Sequence, residues 1–531
     1  MTGQTIETMP HAPFARRHAA LLSLILGALA ACGFAPLELW PLTLACVAAW
    51  MWLVHDAPTR KAALWRGWVF GVGHFTINDN WFQHAFDFQD KMPPALGYAA
   101  PLALALYLAV FPALAAGLAW PAARRSRRPT PDSAFVLTFA AAWTGTEWLR
   151  SVLFTGYAWD PLGVIWVPVQ AVAAAAAWVG TYALSGLTVA LAGALLLLFA
   201  RRRWLALVPV ALIAASQPFS YRAADPAAPR DAPRLVVVQP NVPQDERGES
   251  DGEAMLSRLS ALSGTPPVTP GAAPRLVLWP EGVVRDFLED GYPGYVYGMQ
   301  ASPWSVRRRI ARLLGPGDIV LTGGNALQFD ADGNVATATN SVFAIDAAAR
   351  IIGRYDKAHL VPFGEYLPLP WLLKPIGLAR LVPGEMDFAD GPGPAALTLP
   401  GFGAIGVQVC YEIIFSGEVT DRAHRPRLFF NPSNDAWFGA WGTPQFLAQA
   451  RMRAIEEGLP VVRATPTGIS AVIAADGRLI AAVPHRRGGA IDVPLPAPLP
   501  PTLFSRVGNG AAAAVALALL LAAVAIRIRR R

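Results

Sequence analysis

Eight apolar segments, at 19–33, 36–54, 62–77, 95–120, 134–150, 169–200, 203–219 and 508–526, are separated by connections that differ sharply in arginine content. An α-helix needs ~20 apolar residues to cross a bilayer, and the shorter segments carry flanking aromatic residues suited to the interface. Arg16 and Arg17 precede the first segment, and Arg60, Lys61 and Arg66 follow the second. Arg124, Arg125, Arg127 and Arg128 follow the fourth, Arg201 to Arg203 follow the sixth, and Arg527, Arg529, Arg530 and Arg531 close the chain. Every second connection is therefore basic, which is the positive-inside pattern with both termini cytoplasmic. The intervening connections carry Asp79, Asp87, Asp90 and Asp160, with Lys91 as the clear cation. Segment 169–200 is long enough to divide, but division would put Arg201–Arg203 outside, so it reads as one tilted span.

Only 15% of the 531 residues are charged, against roughly a quarter in soluble domains, which agrees with a membrane protein. The net charge of +7 is accounted for by the basic connections and calls for no nucleic-acid partner. Cys32, Cys46 and Cys410 are too few for a disulfide framework. Arg16-Arg17, an apolar run and Leu29-Ala30-Ala31-Cys32 resemble a lipoprotein signal peptide. The next span starts almost at once, at Pro36, which favours an ordinary first span.

This divides the chain into 1–220 with seven spans, 221–506 as a separate domain, and 507–531 as a last span with a basic tail. By the parity of the spans, 221–506 lies outside the cytoplasm. Its borders are Pro- and Ala-rich, at 225–229 and 494–501. Inside it, apolar runs at 235–238, 276–279, 319–321, 407–409 and 428–430 alternate with helical stretches at 249–263, 302–314 and 443–457. Short β-branched runs of this kind predict buried strands in an α/β domain. Gly323-Gly324-Asn325 reads as a turn at a strand end rather than a nucleotide loop.

The run Gly406-Val407-Gln408-Val409 delivers Cys410 onto a transition into Tyr411, Glu412 and a short helix. Rigid strand ends commonly present nucleophiles in this way. A lone cysteine is ordinarily a small buried hydrophobe, but two further strand-like ends carry Glu281, in Trp279-Pro280-Glu281, and Lys357. A free thiol has a pKa near ~8.5, so Cys410 needs a base. Glu281 among apolar neighbours suits that role, and Lys357 would supply positive charge for a thiolate and then an oxyanion. No G-x-S-x-G elbow, HExxH pair or other metal-ligand spacing occurs, and no cofactor or metal is expected. Trp371, Trp437, Phe438 and Trp441 are candidates for an apolar lid that keeps water from a reactive intermediate.

Trp279-Pro280-Glu281, the Lys357 segment and Val409-Cys410-Tyr411-Glu412 resemble the Glu-Lys-Cys signature of the nitrilase superfamily. With the spans and the inserted domain, the chain is similar to its membrane-integral branch, the apolipoprotein N-acyltransferases. Segments 363–368, 431–439 and 450–456 look like that family too. Pro466, where the family usually has Asn, and Phe446, where His is common, depart from it. The resemblance implies an α-β-β-α sandwich standing on a transmembrane bundle of about eight helices. It also implies transfer of an acyl chain from a phospholipid, through a Cys410 thioester, to the N-terminal amine of a diacylglyceryl-cysteine apolipoprotein. Glu365 would be a second essential carboxylate orienting Lys357, with Tyr411 and Glu412 shaping the site.

Two rival readings differ in chemistry or class. A membrane-anchored nitrilase-type amidase would use the same trio with water as final acceptor, but has no need of eight spans. A transporter with an inert outer domain would need ionisable residues inside the spans, where Glu147 is the main example, and its closeness to Trp148 and Arg150 points to an interfacial place instead.

Overall fold

The computed structural model describes residues 17–88, 92–125, 130–199, 232–243, 252–266, 272–298, 301–377 and 387–529. The expected seventh span at 203–219, the border at 225–229 and the 220/221 domain limit lie outside these residues. So do Arg16, Asp90, Lys91, Arg127, Arg128, Arg201–Arg203, Arg530 and Arg531.

The first described part is helical: α1 Ala19–Ala30, α2 Trp40–His55, α3 Arg60–Asn78, α4 Leu96–Leu108, α5 Val110–Arg125, α6 Ser133–Val152 and α7 Ala176–Phe199. Helices α8 Gly252–Ser263, α9 Pro303–Ala311 and α10 Gly439–Glu457 belong to the α/β domain, and α11 Gly510–Ile528 follows it. Strands β1 Arg234–Gln239, β2 Arg275–Leu278, β3 Ile319–Phe329, β4 Val335–Asp346 and β5 Ile351–Asp356 come first in the domain. Strands β6 Ala396–Leu399, β7 Gly403–Val407, β8 Leu428–Pro432, β9 Val461–Ala464, β10 Ser470–Ile473, β11 Leu479–Val483 and β12 Gly489–Pro494 complete it.

Two six-stranded sheets result, in the orders β12-β1-β2-β3-β4-β5 and β11-β10-β9-β8-β7-β6. In each, three central strands run parallel (β1, β2, β3 and β7, β8, β9). Alternation along β1 sends Leu235 and Val237 into the core between the sheets, with Leu276, Leu321, Val407 and Val461. It sends Val236 and Val238 outward, onto Met255 and Leu259 of α8 and Val306 and Ile310 of α9. Each such buried aliphatic side chain contributes about 1.5–3 kcal/mol. The expected α-β-β-α sandwich is therefore present.

The outer layer of the second sheet is α10, and its far side faces the helical part rather than solvent. Phe446, Ala450 and Ala454 pack into the inter-strand core, while Ala448, Met452 and Ile455 join the core formed with Leu162, Val164 and Ile165. Polar groups fix this docking. Gln445 accepts from Trp159 Nε1 (2.9 Å) and donates to the Asn78 carbonyl (3.1 Å). Glu456 accepts from the backbone N–H and the hydroxyl of Thr181 (2.6 and 2.5 Å) and from Ser416 (2.7 Å).

Several boundaries differ from expectation. Among the described residues, Leu96–Arg124, Ala176–Leu198 and Gly510–Ile528 are long and apolar enough to cross a membrane, and Ala19–Gly33 and Trp40–His55 are apolar but shorter. The segment expected as one span at 169–200 begins its helix at Ala176 and is broken at Gly180, where φ is +76°. Before it, short turns at Leu162–Trp166 and Gln170–Ala173 wedge into the bundle. Glu147 is buried among the helices and accepts from Trp143 Nε1 and the Leu162 N–H. Gly323 and Gly324 lie inside β3 rather than in a turn. A Cβ on Gly323 would meet Gly282 N at 2.8 Å, Glu281 Cα at 2.9 Å and Pro280 O at 3.1 Å, so its lack of a side chain makes room for the Glu281 loop.

Candidate active site

Glu281, Lys357 and Cys410 follow the C-terminal ends of β2, β5 and β7, two of them strands of the parallel cores. Open α/β sheets characteristically place ligands at such ends. All three side chains are buried, with Lys357 only 1% exposed.

Cys410 opens a 3₁₀ turn, Cys410–Ile414, with φ at +50°, a left-handed conformation that costs a non-glycine residue roughly 1–3 kcal/mol. The surroundings hold it there. Asn431 donates to the carbonyls of Gln408 (2.6 Å) and Cys410 (3.2 Å), and the Val409 N–H donates to Glu412 (2.6 Å). Glu412 also accepts from Tyr355 (2.9 Å) and from the N–H groups of Ala358 (2.7 Å) and His359 (3.0 Å). It thereby ties the turn bearing Cys410 to the segment bearing Lys357. Burial pushes Glu412 up to about 7, against the pull of Lys357 and these donors. Tyr411 donates to the Gly156 carbonyl (3.3 Å), reaching the segment beyond α6.

Lys357 Nζ lies 2.7 Å from Glu365 Oε2. Burial alone would pull the ammonium's pKa down, but the carboxylates of Glu365 and Glu281, joined by Cys410 when it ionises, outweigh it and hold the pKa above the usual lysine range. Glu365 also accepts from the Val361 N–H (2.8 Å). Asn340, on β4, donates both to Glu365 (3.0 Å) and to Glu281 (2.7 Å), so one amide spaces the two carboxylates. Glu281 accepts in addition from the Asn434 N–H (2.8 Å). Burial raises the Glu281 pKa, Lys357 pulls it back and Glu365 raises it again, the combination wanted in a proton acceptor. The Cys410 thiol is pushed up to about 12 by burial and then by Glu281, with Lys357 and a hydrogen bond from Ser433 opposing. At rest it holds its proton, and ionisation has to accompany transfer to a base.

The structure thus brings together Glu281, Lys357, Cys410, Glu365, Tyr411 and Glu412. The four aromatic candidates separate. Trp371 is 73% exposed on the short helix Pro370–Leu373 beside exposed Leu369 and Leu372. Trp437 is half-buried against Phe88, and Trp441 packs on the edge of the core. Phe438 is buried among Trp81, Trp159 and Phe446, where an apolar ring fills the junction of the two parts.

Sequence reasoning assigned nothing to Asn340, Asn431, Ser433 or Arg463. Arg463 is fully buried on β9, pairs with Asp435, donates to Asn431 (2.5 Å) and Ser433 (3.2 Å), and lies 4.0 Å over the Phe446 ring. The signal was a polar residue inside an apolar strand, as in Val461-Val462-Arg463 and Phe429-Phe430-Asn431, where burial demands a partner. The two departures take ordinary places. Phe446 presents its face to Arg463, and the Pro466 carbonyl accepts from the Asn241 N–H (2.7 Å). Among the described residues, no group of three or more His, Cys, Asp or Glu side chains is placed to hold a metal ion.

Residues 26–195 match the family described as the apolipoprotein N-acyltransferase N-terminal domain, and residues 238–497 match the carbon-nitrogen hydrolase family. An apolipoprotein N-acyltransferase of Rhodopseudomonas palustris is 35% identical over 511 residues, covering 92% of this chain and 91% of that protein. That of Caulobacter vibrioides is 34% identical over 496 residues, covering 90% and 88%. That of Rhizobium rhizogenes is 32% identical over 496 residues, covering 89% of each. With both parts matched in order and relatives aligned along most of its length, the chain belongs to the apolipoprotein N-acyltransferase family.

Proposed function

We propose that the chain transfers a fatty acyl group from a phospholipid to the N-terminal amine of a diacylglyceryl-cysteine apolipoprotein, by way of a thioester on Cys410. The observation that carries this reading is the joint burial of Glu281, the Lys357–Glu365 pair and Cys410 in a sandwich whose outer helix packs on apolar helices. Glu281 takes the thiol proton, and the resulting thiolate attacks the ester carbonyl. Lys357 stabilises the oxyanion, and collapse expels the lysophospholipid alkoxide, which takes the proton from Glu281. After the lysolipid leaves, the amine attacks the thioester, Glu281 accepts the amine proton, and collapse to the amide returns the proton to the Cys410 sulfur.

Glu365 orients Lys357, Glu412 and Tyr411 hold the turn, and Trp371, with Trp437 and Trp441, shields the thioester from water. Confining donor and acceptor to one bilayer raises their effective concentration. The domain 221–506 stands on the periplasmic side of the inner membrane, tethered between seven spans and an eighth, which the arginine distribution supports.

Purified protein given a phospholipid with a labelled acyl chain and a diacylglyceryl-cysteinyl peptide tests the activity. The parent labels the peptide amine and Cys410→Ala does not. Release of labelled fatty acid without peptide acylation would favour the amidase-like reading instead. Reporter fusions at Ala228 and after Arg531 test sidedness, with an export-dependent enzyme active at the first and inactive at the second.

A further inference from the structure

Ser433 stands against the reacting sulfur. Its Oγ lies 3.3 Å from Cys410 Sγ and 2.9 Å from Asp435 Oδ1, and it is fully buried. A hydroxyl has one hydrogen, so it can serve only one of these acceptors at a time. The Ser433 oxygen is meanwhile occupied as an acceptor, because Arg463 donates to it at 3.2 Å. The backbone is fixed as well, with the Ser433 N–H donating to the Ala464 carbonyl (2.9 Å). The side chain keeps one freedom, rotation of its O–H.

We propose that Ser433 is a further catalytic residue of this site, whose hydroxyl hydrogen turns from the Asp435 carboxylate to the Cys410 sulfur when the thiolate forms. The inference rests on the acyl-transfer reading for the identity of the nucleophile. While Cys410 is a neutral thiol, the carboxylate is the better acceptor and the closer one. Once Glu281 has taken the thiol proton, the sulfur carries full negative charge in a dry site, and a donor there is worth far more than in water. Asp435 can release the hydrogen because Arg463 already pairs with it. The same Arg463, donating to the Ser433 oxygen, polarises the O–H toward its acceptor. No proton leaves Ser433: the thiol proton goes to Glu281, and the hydroxyl contributes a hydrogen bond that exists only in the charged state. The same bond assists expulsion of the thiolate when the amine collapses the thioester, so both half-reactions use it. The Arg463, Asp435 and Asn431 arrangement thereby acquires a purpose beyond filling the strand end: it presents one donor to the nucleophile.

The test is the pH dependence of Cys410 alkylation by iodoacetamide in the detergent-solubilised full chain, read by mass spectrometry of the Cys410 peptide. This needs neither lipid nor acceptor. Ser433→Ala is expected to slow alkylation at fixed pH by roughly ten- to a hundredfold, the range for a hydrogen bond to a charged group, and to move the profile to higher pH. Ser433→Thr, which keeps the hydroxyl, recovers most of the loss. Ser433→Gly removes the hydroxyl with less demand on packing and serves if the alanine variant misfolds, with folding judged by a monodisperse elution profile. A folded hydroxyl-free variant with the parent's profile overturns the proposal, as does a folded threonine variant as slow as alanine. Full acyl transfer by Cys410→Ala would overturn the underlying reading instead, so the two failures are distinct.

Discussion

Lys357 Nζ and Glu365 Oε2 face each other at 2.7 Å with both side chains shut off from solvent. A buried pair of this kind is weak evidence of stability, because desolvation of both ions offsets much of their attraction, but removal of one partner is severe. Glu365→Ala leaves the buried ammonium without its direct partner and with Glu281 as the remaining carboxylate named beside it, and a destabilisation of about 3–5 kcal/mol is expected, with lysine's pKa falling. Thermal unfolding together with acyl-enzyme formation checks this. A variant as stable and as active as the parent would mean that Glu365 does not hold Lys357.

Asn340 bridges Glu281 and Glu365, and its amide lowers the Glu281 pKa that burial has raised. A base works when deprotonated, so activity is lost as pH falls through its pKa. Asn340→Ala removes the lowering contact and moves the acid limb of single-turnover acylation to higher pH. A limb that stays in place would show that Glu281 is not the titrating base.

The approach of β3 to the Glu281 loop predicts an effect from a residue with no side chain. Gly323→Ala puts a methyl within 2.8–3.1 Å of the backbone of residues 280–282, which cannot rotate away. The expected cost is about 1–3 kcal/mol of stability, with a loss of acylation rate out of proportion to it as Glu281 shifts. Gly324→Ala meets side chains instead, the Phe343 ring at 3.3 Å and Leu288 Cδ1 at 3.6 Å, and should retain more activity. Equal effects of the two substitutions would contradict this account.

Much of this was legible in the chain because strand ends and charge follow local rules. The strand-like runs before Glu281, Lys357 and Cys410 announced the three strand ends, which are those of β2, β5 and β7. Other elements were hidden for physical reasons. The first part of β4, through Thr337, Thr339, Asn340 and Ser341, carries polar residues and pairs antiparallel with β3, so only its end, 342–345, forms an apolar run. Gly323 resembled a turn because a glycine's value in a strand depends on what approaches it from elsewhere in the chain. Phe438 was a lid candidate because nothing local reveals that Trp81 and Trp159, distant in sequence, cover it. Asn340 and Ser433 act through atoms contributed by other strands, and their spacing in sequence carries no trace of it.

Glu412 accepts four hydrogen bonds, three at one oxygen and one at the other. Glu412→Gln gives one of those positions an N–H₂ group facing a donor. One buried donor then goes unpaired, at about 1–3 kcal/mol, and the turn carrying Cys410 loosens. Unfolding and alkylation of Cys410 report the two effects, and a glutamine variant equal to the parent in both would show that the turn does not depend on Glu412.

The most direct measurement is mass spectrometry of the purified protein after incubation with phospholipid and no acceptor. The account predicts a tryptic peptide carrying one acyl chain on Cys410, released when a diacylglyceryl-cysteinyl peptide is added, and missing in Cys410→Ala and Glu281→Gln. Peptide acylation proceeding without any acyl group on Cys410, or an acyl group found on another residue, would contradict it.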